Sequence, residues 1–156
     1  MATEILSAGM AVKWAVEATA GTRPTTGYAT IASVKEINED NDAPNLIQVT
    51  DLSATYKHKY IRGLITGDTP LQFTVNDTPE FRTTWDAMFA AYETAKAAGK
   101  ALWIEYAYPA GSGLDSYYYT GEPSPRGFGG ATVDAVLETT AYMIQSGEPT
   151  WESASA

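Results

Sequence analysis

Only one stretch of this chain carries a helical period. Across residues 79–98 the apolar side chains Phe81, Trp85, Met88, Phe89 and Tyr92 fall at i, i+4, i+7, i+8 and i+11, which draws a single stripe down one side of a helix. Arg82, Thr83, Asp86, Glu93 and Lys96 take the other side. Thr78 is placed to cap the helix, Pro79 suits its first turn, and Gly99 suits the left-handed residue that ends it. The spacing predicts a rod about 30 Å long. A lone helix with so wide an apolar face must be covered by something else, and the flanking sequence offers only strands.

Those strands show period-two alternation between breaks rich in Gly, Pro and Asn. Residues 11–17, "AVKWAVE", put Val12, Trp14 and Val16 on one side. Residues 28–37 are rich in β-branched side chains and read as a second strand. The run "NEDNDAPN" disfavours any strand interior, so residues 38–59 are expected as a long loop, with a brief strand near Leu46. Residues 60–75 are expected as a hairpin or bent strand pair turning at "TGDTP", residues 66–70. After the helix, "ALWIEYAYP" alternates Leu102, Ile104, Tyr106 and Tyr108 against Trp103 and Glu105, and "YYYTG" follows as another strand. "EPSPRGFGG" is a connector. Residues 132–144 read as one long strand, with Val133, Ala135, Leu137, Ala141 and Met143 on one face. The expected fold is mainly β: a β-sandwich or open barrel of about seven strands with one inserted α-helix. It is expected as a single domain over 1–156, with an N-terminal arm at 1–10 and a C-terminal tail at 145–156 ordered near Trp151.

Composition narrows the functions. With 44% apolar and 19% charged residues the chain is expected to fold. Nineteen acids against ten Lys and Arg give a net charge of −9, a poor basis for general nucleic-acid binding. There is no cysteine, which rules out disulfides and Cys-based zinc sites. No basic segment precedes a long apolar run at the start, and no apolar run reaches about 18 residues. The chain therefore reads as soluble and cytoplasmic at synthesis, without a membrane.

No catalytic constellation emerges. The only histidine, His58, sits between two lysines, away from any nucleophile-elbow sequence. The glycine-rich pieces lack the strand–loop–helix setting of a phosphate loop. The acidic run Glu36, Glu39, Asp40 and Asp42 is the best metal candidate, and Asp40, Asp42 and Asp51 fall at positions 1, 3 and 12 of a calcium-loop spacing. Pro44 and Asn45 occupy positions 5 and 6, where a ligand and a glycine belong. The run reads as solvated charge, and no metal or cofactor is expected. The basic knot of Lys57, His58, Lys59 and Arg62 either balances nearby acids or meets acids on a neighbouring subunit, and composition alone favours neither. Ten Tyr and four Trp serve core and cross-strand packing in the plainer reading, and an interface or a carbohydrate surface in the sharper one.

Three elements in order carry a resemblance: Val49-Thr50-Asp51-Leu52-Ser53, then Tyr60-Ile61-Arg62-Gly63-Leu64, then Phe73-Thr74-Val75-Asn76. With the Trp14 strand, the single helix, "LWIEY", the long "TVDAVLETTAYMI" segment and Gly147-Glu148-Pro149, the chain resembles the major tail tube protein of long-tailed bacteriophages. It departs at Lys57, His58 and Lys59, where that family has more acidic or small residues. It also lacks the immunoglobulin-like domain that some members append. The resemblance implies a non-enzymatic virion protein that forms hexameric rings stacking into a hollow tube. DNA would pass through the tube without specific binding, and the partners would be tape measure, tail terminator and baseplate or tail-tip proteins. It also makes Glu36, Glu39, Asp40, Asp42, Asp51, Lys57, Lys59, Arg62 and Trp151 the expected inter-subunit contacts. The alternatives are another ring-forming tail component (a terminator or a contractile-system tube protein), a carbohydrate-binding β-sandwich, and an enzyme.

Overall fold

The structure, a computed structural model, describes residues 4–53, 55–65 and 69–156. The predicted helix is α1, Pro79–Ala97, and it starts and stops for the reasons its sequence gives. The Thr78 hydroxyl accepts the Phe81 amide at 3.2 Å, and Gly99 takes φ 73° just beyond the end. Phe81, Trp85 and Met88 are fully buried, with Phe89 and Tyr92 half-buried beside them. The Trp85 indole N–H is satisfied by the Ser124 carbonyl at 2.9 Å, so a large ring enters the core without stranding its polar atom.

Among the described residues ten strands surround this helix, all paired antiparallel. They are β1 (Ala11–Val16), β2 (Ala29–Thr30), β3 (Val34–Ile37), β4 (Pro44–Gln48), β5 (Tyr60–Ile65), β6 (Leu71–Asn76), β7 (Leu102–Ala107), β8 (Ser116–Pro123), β9 (Glu138–Gln145) and β10 (Thr150–Glu152). Eight form one curved sheet in the order β2-β1-β7-β8-β9-β6-β3, with β10 added on β8. The strand β8 makes the corner. Its residues Tyr117–Thr120 pair with β7 and its residues Gly121–Pro123 pair with β9. A Cβ at Gly121 would lie 2.7 Å from the Met143 sulfur, so only glycine lets β8 pass over that core residue.

The two ends of this sheet are joined by the chain itself. Residues 28–37 are not the single strand that their composition suggests. β2 pairs with β1, β3 pairs with β6, and Ser33 between them adopts φ 62°. Ile31 turns into the core at this corner. The helix holds the bend from below: the Thr84 hydroxyl accepts the Ala32 amide at 3.2 Å, and the Ser33 and Thr78 hydroxyls lie 2.7 Å apart. The result is an open, sandwich-like barrel filled by Val12, Phe73, Val75, Ile104, Tyr119 and Met143, with α1 closing one side.

Two further expectations change. The strand expected over 132–144 begins only at Glu138, because its partner β6 ends at Asn76; just beyond it the Leu137 carbonyl still accepts the Asp77 amide at 2.9 Å. Asp134 takes φ 61°, and Val133 and Val136 face solvent. β5 does not fold back on β6. It pairs with β4, where a brief strand was expected near Leu46 within 38–59, and the two form a separate two-stranded ribbon. Thr66, Gly67 and Asp68 of the expected turn lie outside the described residues, as do the first three residues of the N-terminal arm. The C-terminal tail is ordered around Trp151 as expected, as strand β10 on β8.

Candidate functional site

The β4–β5 ribbon leaves the barrel between β3 and β6 and buries neither of its faces. Every residue of β4 is exposed, as is every residue of β5 except half-buried Gly63. Leu64 is 86% exposed and Leu46 70%, joined by Ile47, Tyr60, Ile61 and Ile65. The pairing shifts register between Pro44 and Leu46, and a Cβ at Gly63 would sit 3.1 Å from the Asn45 carbonyl oxygen. The closed end carries residues 49–59. There the Val49 amide donates to the Lys59 carbonyl at 2.9 Å, and the Lys59 amide donates to the Thr50 hydroxyl at 2.8 Å. His58 Nδ1 lies 2.9 Å from Gln48 Nε2. The exposed histidine therefore also ties down the ribbon's tip.

Lys57, Lys59 and Arg62 are exposed and form no ion pair among the described residues. The basic knot thus forms no ion pair with an acid among the described residues. Glu36, on β3, and Glu39 and Asp42, beyond it, are exposed as well. Asp51 accepts the Ser53 amide at 3.0 Å, a local turn on the ribbon loop. Asp40, Asp42 and Asp51 do not converge, and among the described residues no group of three or more His, Asp or Glu is arranged to hold a metal ion. No helix among them is long and apolar enough to cross a membrane.

Two of the expected contact residues do come together. Asp40 and Trp151 line a cavity of about 150 Å³ with Asn38, Tyr106, Tyr108 and Tyr117. The Trp151 ring stacks on Tyr108 with centroids 6.2 Å apart and meets Tyr117 at 4.9 Å, and Tyr117 in turn stacks on Tyr106 at 5.6 Å. The Tyr117 hydroxyl donates to Asp40 Oδ2. Burial, followed by the hydrogen bond to Asp40 and that residue's charge, raises the Tyr117 pKa far above the ordinary phenol value. The Asn38 side-chain carbonyl oxygen is buried and has no partner.

Trp151 is held in this position by the residues that follow it. Glu105 is fully buried. Its Oε1 accepts the Ser155 hydroxyl at 2.6 Å, and its Oε2 accepts the Ser155 amide at 3.0 Å. The Tyr118 hydroxyl stands 2.8 Å from Glu105 Oε2 and 2.7 Å from the Ser153 carbonyl, so one proton lies between two acceptors. Burial opposes the charge on Glu105, but the bonds from Ser155 and Tyr118 together outweigh it and hold its pKa below the usual carboxylate value. Glu152 pairs with Arg23, whose guanidinium lies 4.1 Å from the centre of the Tyr118 ring. The only sequence signal for this strap is the alternation that puts Glu105 on the face of Trp103, opposite Tyr106 and Tyr108.

The class of molecule is thus an antiparallel barrel with one closing helix, a ribbon with two uncovered faces, and an aromatic cavity under a C-terminal strap. The same fold occurs in a chain of the anti-feeding prophage (AFP) baseplate, in its 6-fold symmetrised cryo-EM structure. The TM-score is 0.63 with 11% sequence identity, covering 98% of each chain. No family profile and no curated protein matches this chain.

Proposed function

We propose that this chain is a structural, non-enzymatic component of a phage-tail-like particle. In this reading it assembles with its own copies into six-membered rings that stack as a hollow tube for DNA. The observation that carries the reading is the end-to-end fold shared with a chain of a 6-fold symmetrised baseplate, 98% of each chain at TM-score 0.63. The uncovered ribbon supports it. An isolated two-stranded hairpin is marginal in water, and nine large apolar side chains from Leu46 to Ile65 face solvent on this one and its closing loop. A neighbouring copy would cover them, and a contact between unlike patches closes into rings or continues into filaments.

In this reading the ribbon reaches the next ring, where Lys57, Lys59 and Arg62 meet acids of a second subunit. A net charge of −9 suits a conduit whose wall repels phosphate, so that DNA slides without specific binding. Assembly would take place in the bacterial cytoplasm, with tape measure, terminator and baseplate or tail-tip proteins as further partners. Negative-stain microscopy with light scattering over a concentration range tests this. Sixfold rings or tubes from the purified chain are expected, and a triple change of Lys57, Lys59 and Arg62 to Glu should leave a folded chain that no longer polymerises. A wild-type chain that stays monomeric at every concentration overturns the reading.

A further inference from the structure

The Asp40–Trp151 cavity has the chemistry of a cation site. Four aromatic rings, Tyr106, Tyr108, Tyr117 and Trp151, form its walls, and ring faces attract a cation through their quadrupole. Asp40 supplies a carboxylate that spends Oδ2 on the Tyr117 hydroxyl, leaving Oδ1 for a second donor. The Asn38 carbonyl oxygen is a buried acceptor without a donor, and such an atom costs stability until something satisfies it. A flat, weakly hydrated group with several N–H donors fits this combination better than a compact ammonium.

Resting on the assembly reading above, we propose that this cavity receives the guanidinium of Arg62 from the β4–β5 ribbon of a second copy. Arg62 is exposed, forms no ion pair among the described residues, and is fixed on a paired strand opposite Leu46. Lys57 and Lys59 lie on the loop at the ribbon's tip. The charges are complementary as well, because Glu36, Glu39 and Asp42 add exposed acids to the stretch that carries Asp40. In the complex the guanidinium would stack on the rings and donate to Asp40 Oδ1 and Asn38 Oδ1.

Two measurements test this separately from ring formation. In the first, N-acetyl-arginine methylamide is titrated into dilute, unassembled chain while the Trp151 indole resonance is followed by NMR. A saturable shift is expected, weaker with the lysine analogue and lost in Asp40→Asn and in Tyr108→Leu. Absence of any saturable shift in the wild-type chain overturns the proposal whether or not rings form. In the second, the concentration needed for assembly is compared among Asp40→Asn, Arg62→Gln, the double variant and Lys57→Gln. Asp40→Asn and Arg62→Gln are each expected to raise it about tenfold. The double variant should be no worse than the poorer single one, and Lys57→Gln should act less. Independent, multiplying effects of the two changes, or normal assembly of either, sink the Arg62 assignment while leaving the assembly reading in place. Melting curves confirm that each variant is folded, and Tyr108→Leu provides a second probe of the same wall should Asp40→Asn fail to fold.

Discussion

β6 and β5 are six-residue strands of similar apolar content, with opposite fates. "LQFTVN" alternates buried and half-buried residues, with Phe73 1% exposed, while "YIRGLI" meets solvent along almost its whole length. β6 lies between β3 and β9 and faces α1, whereas β5 has only β4. The stability of the isolated chain therefore resides in the barrel. The ribbon holds apolar area that nothing among the described residues covers.

The hardest test of this division is removal of the barrel's largest wedge. Trp85→Ala should cost about 3–5 kcal/mol, read as a lower midpoint in urea unfolding. A cost below 1 kcal/mol would mean that α1 does not close the core. Next comes the strap. Glu105→Gln keeps the shape but replaces an acceptor with donors facing Ser155 and Tyr118, and should cost about 1–3 kcal/mol. Because the folded carboxyl titrates below its unfolded value, its contribution is fully present above the unfolded pKa and fades as pH falls through the lower folded one. The gap in melting temperature between wild type and Glu105→Gln should thus be widest near neutrality and narrow in acid. A constant gap would show that the charge is not what holds the strap.

Smaller effects follow. Thr78→Ala removes the cap on the Phe81 amide and should cost about 1 kcal/mol in thermal unfolding. At the bottom of the scale, Leu46→Ser with Leu64→Ser should change the stability of the dilute chain by less than about 0.5 kcal/mol, yet block particle formation in the microscope. A large loss of stability in that double variant would erase the distinction between ribbon and barrel.

The helix was legible in sequence because its cap, its stripe and its terminal glycine are all local. β1, β6, β7 and β8 were legible for the same reason. The break at Ser33 was not. A β-branched run signals extended chain but not a change of partner, and only the helix residues Thr78 and Thr84, about 50 positions away, fix that corner. The partner of β5 was hidden because alternation says that a strand can bury a face, not which surface covers it. Of the expected site, the basic knot was readable as a cluster of charge, but not whether the acids it meets belong to its own chain. The meeting of Asp40 with Trp151 spans most of the chain and was not. Glu105 looked like an ordinary outward residue on β7 until Ser155 was seen to cover it.

The uncovered ribbon also has a consequence in time. Its cross-strand hydrogen bonds have no packed layer to protect them, so local opening should expose its amides to deuterium long before those of β6 and β7 exchange. Once an apolar surface closes over Leu46, Ile61 and Leu64, the same amides become slow. One short segment therefore carries a record of whether a given subunit is free or engaged, and for how long it has been so.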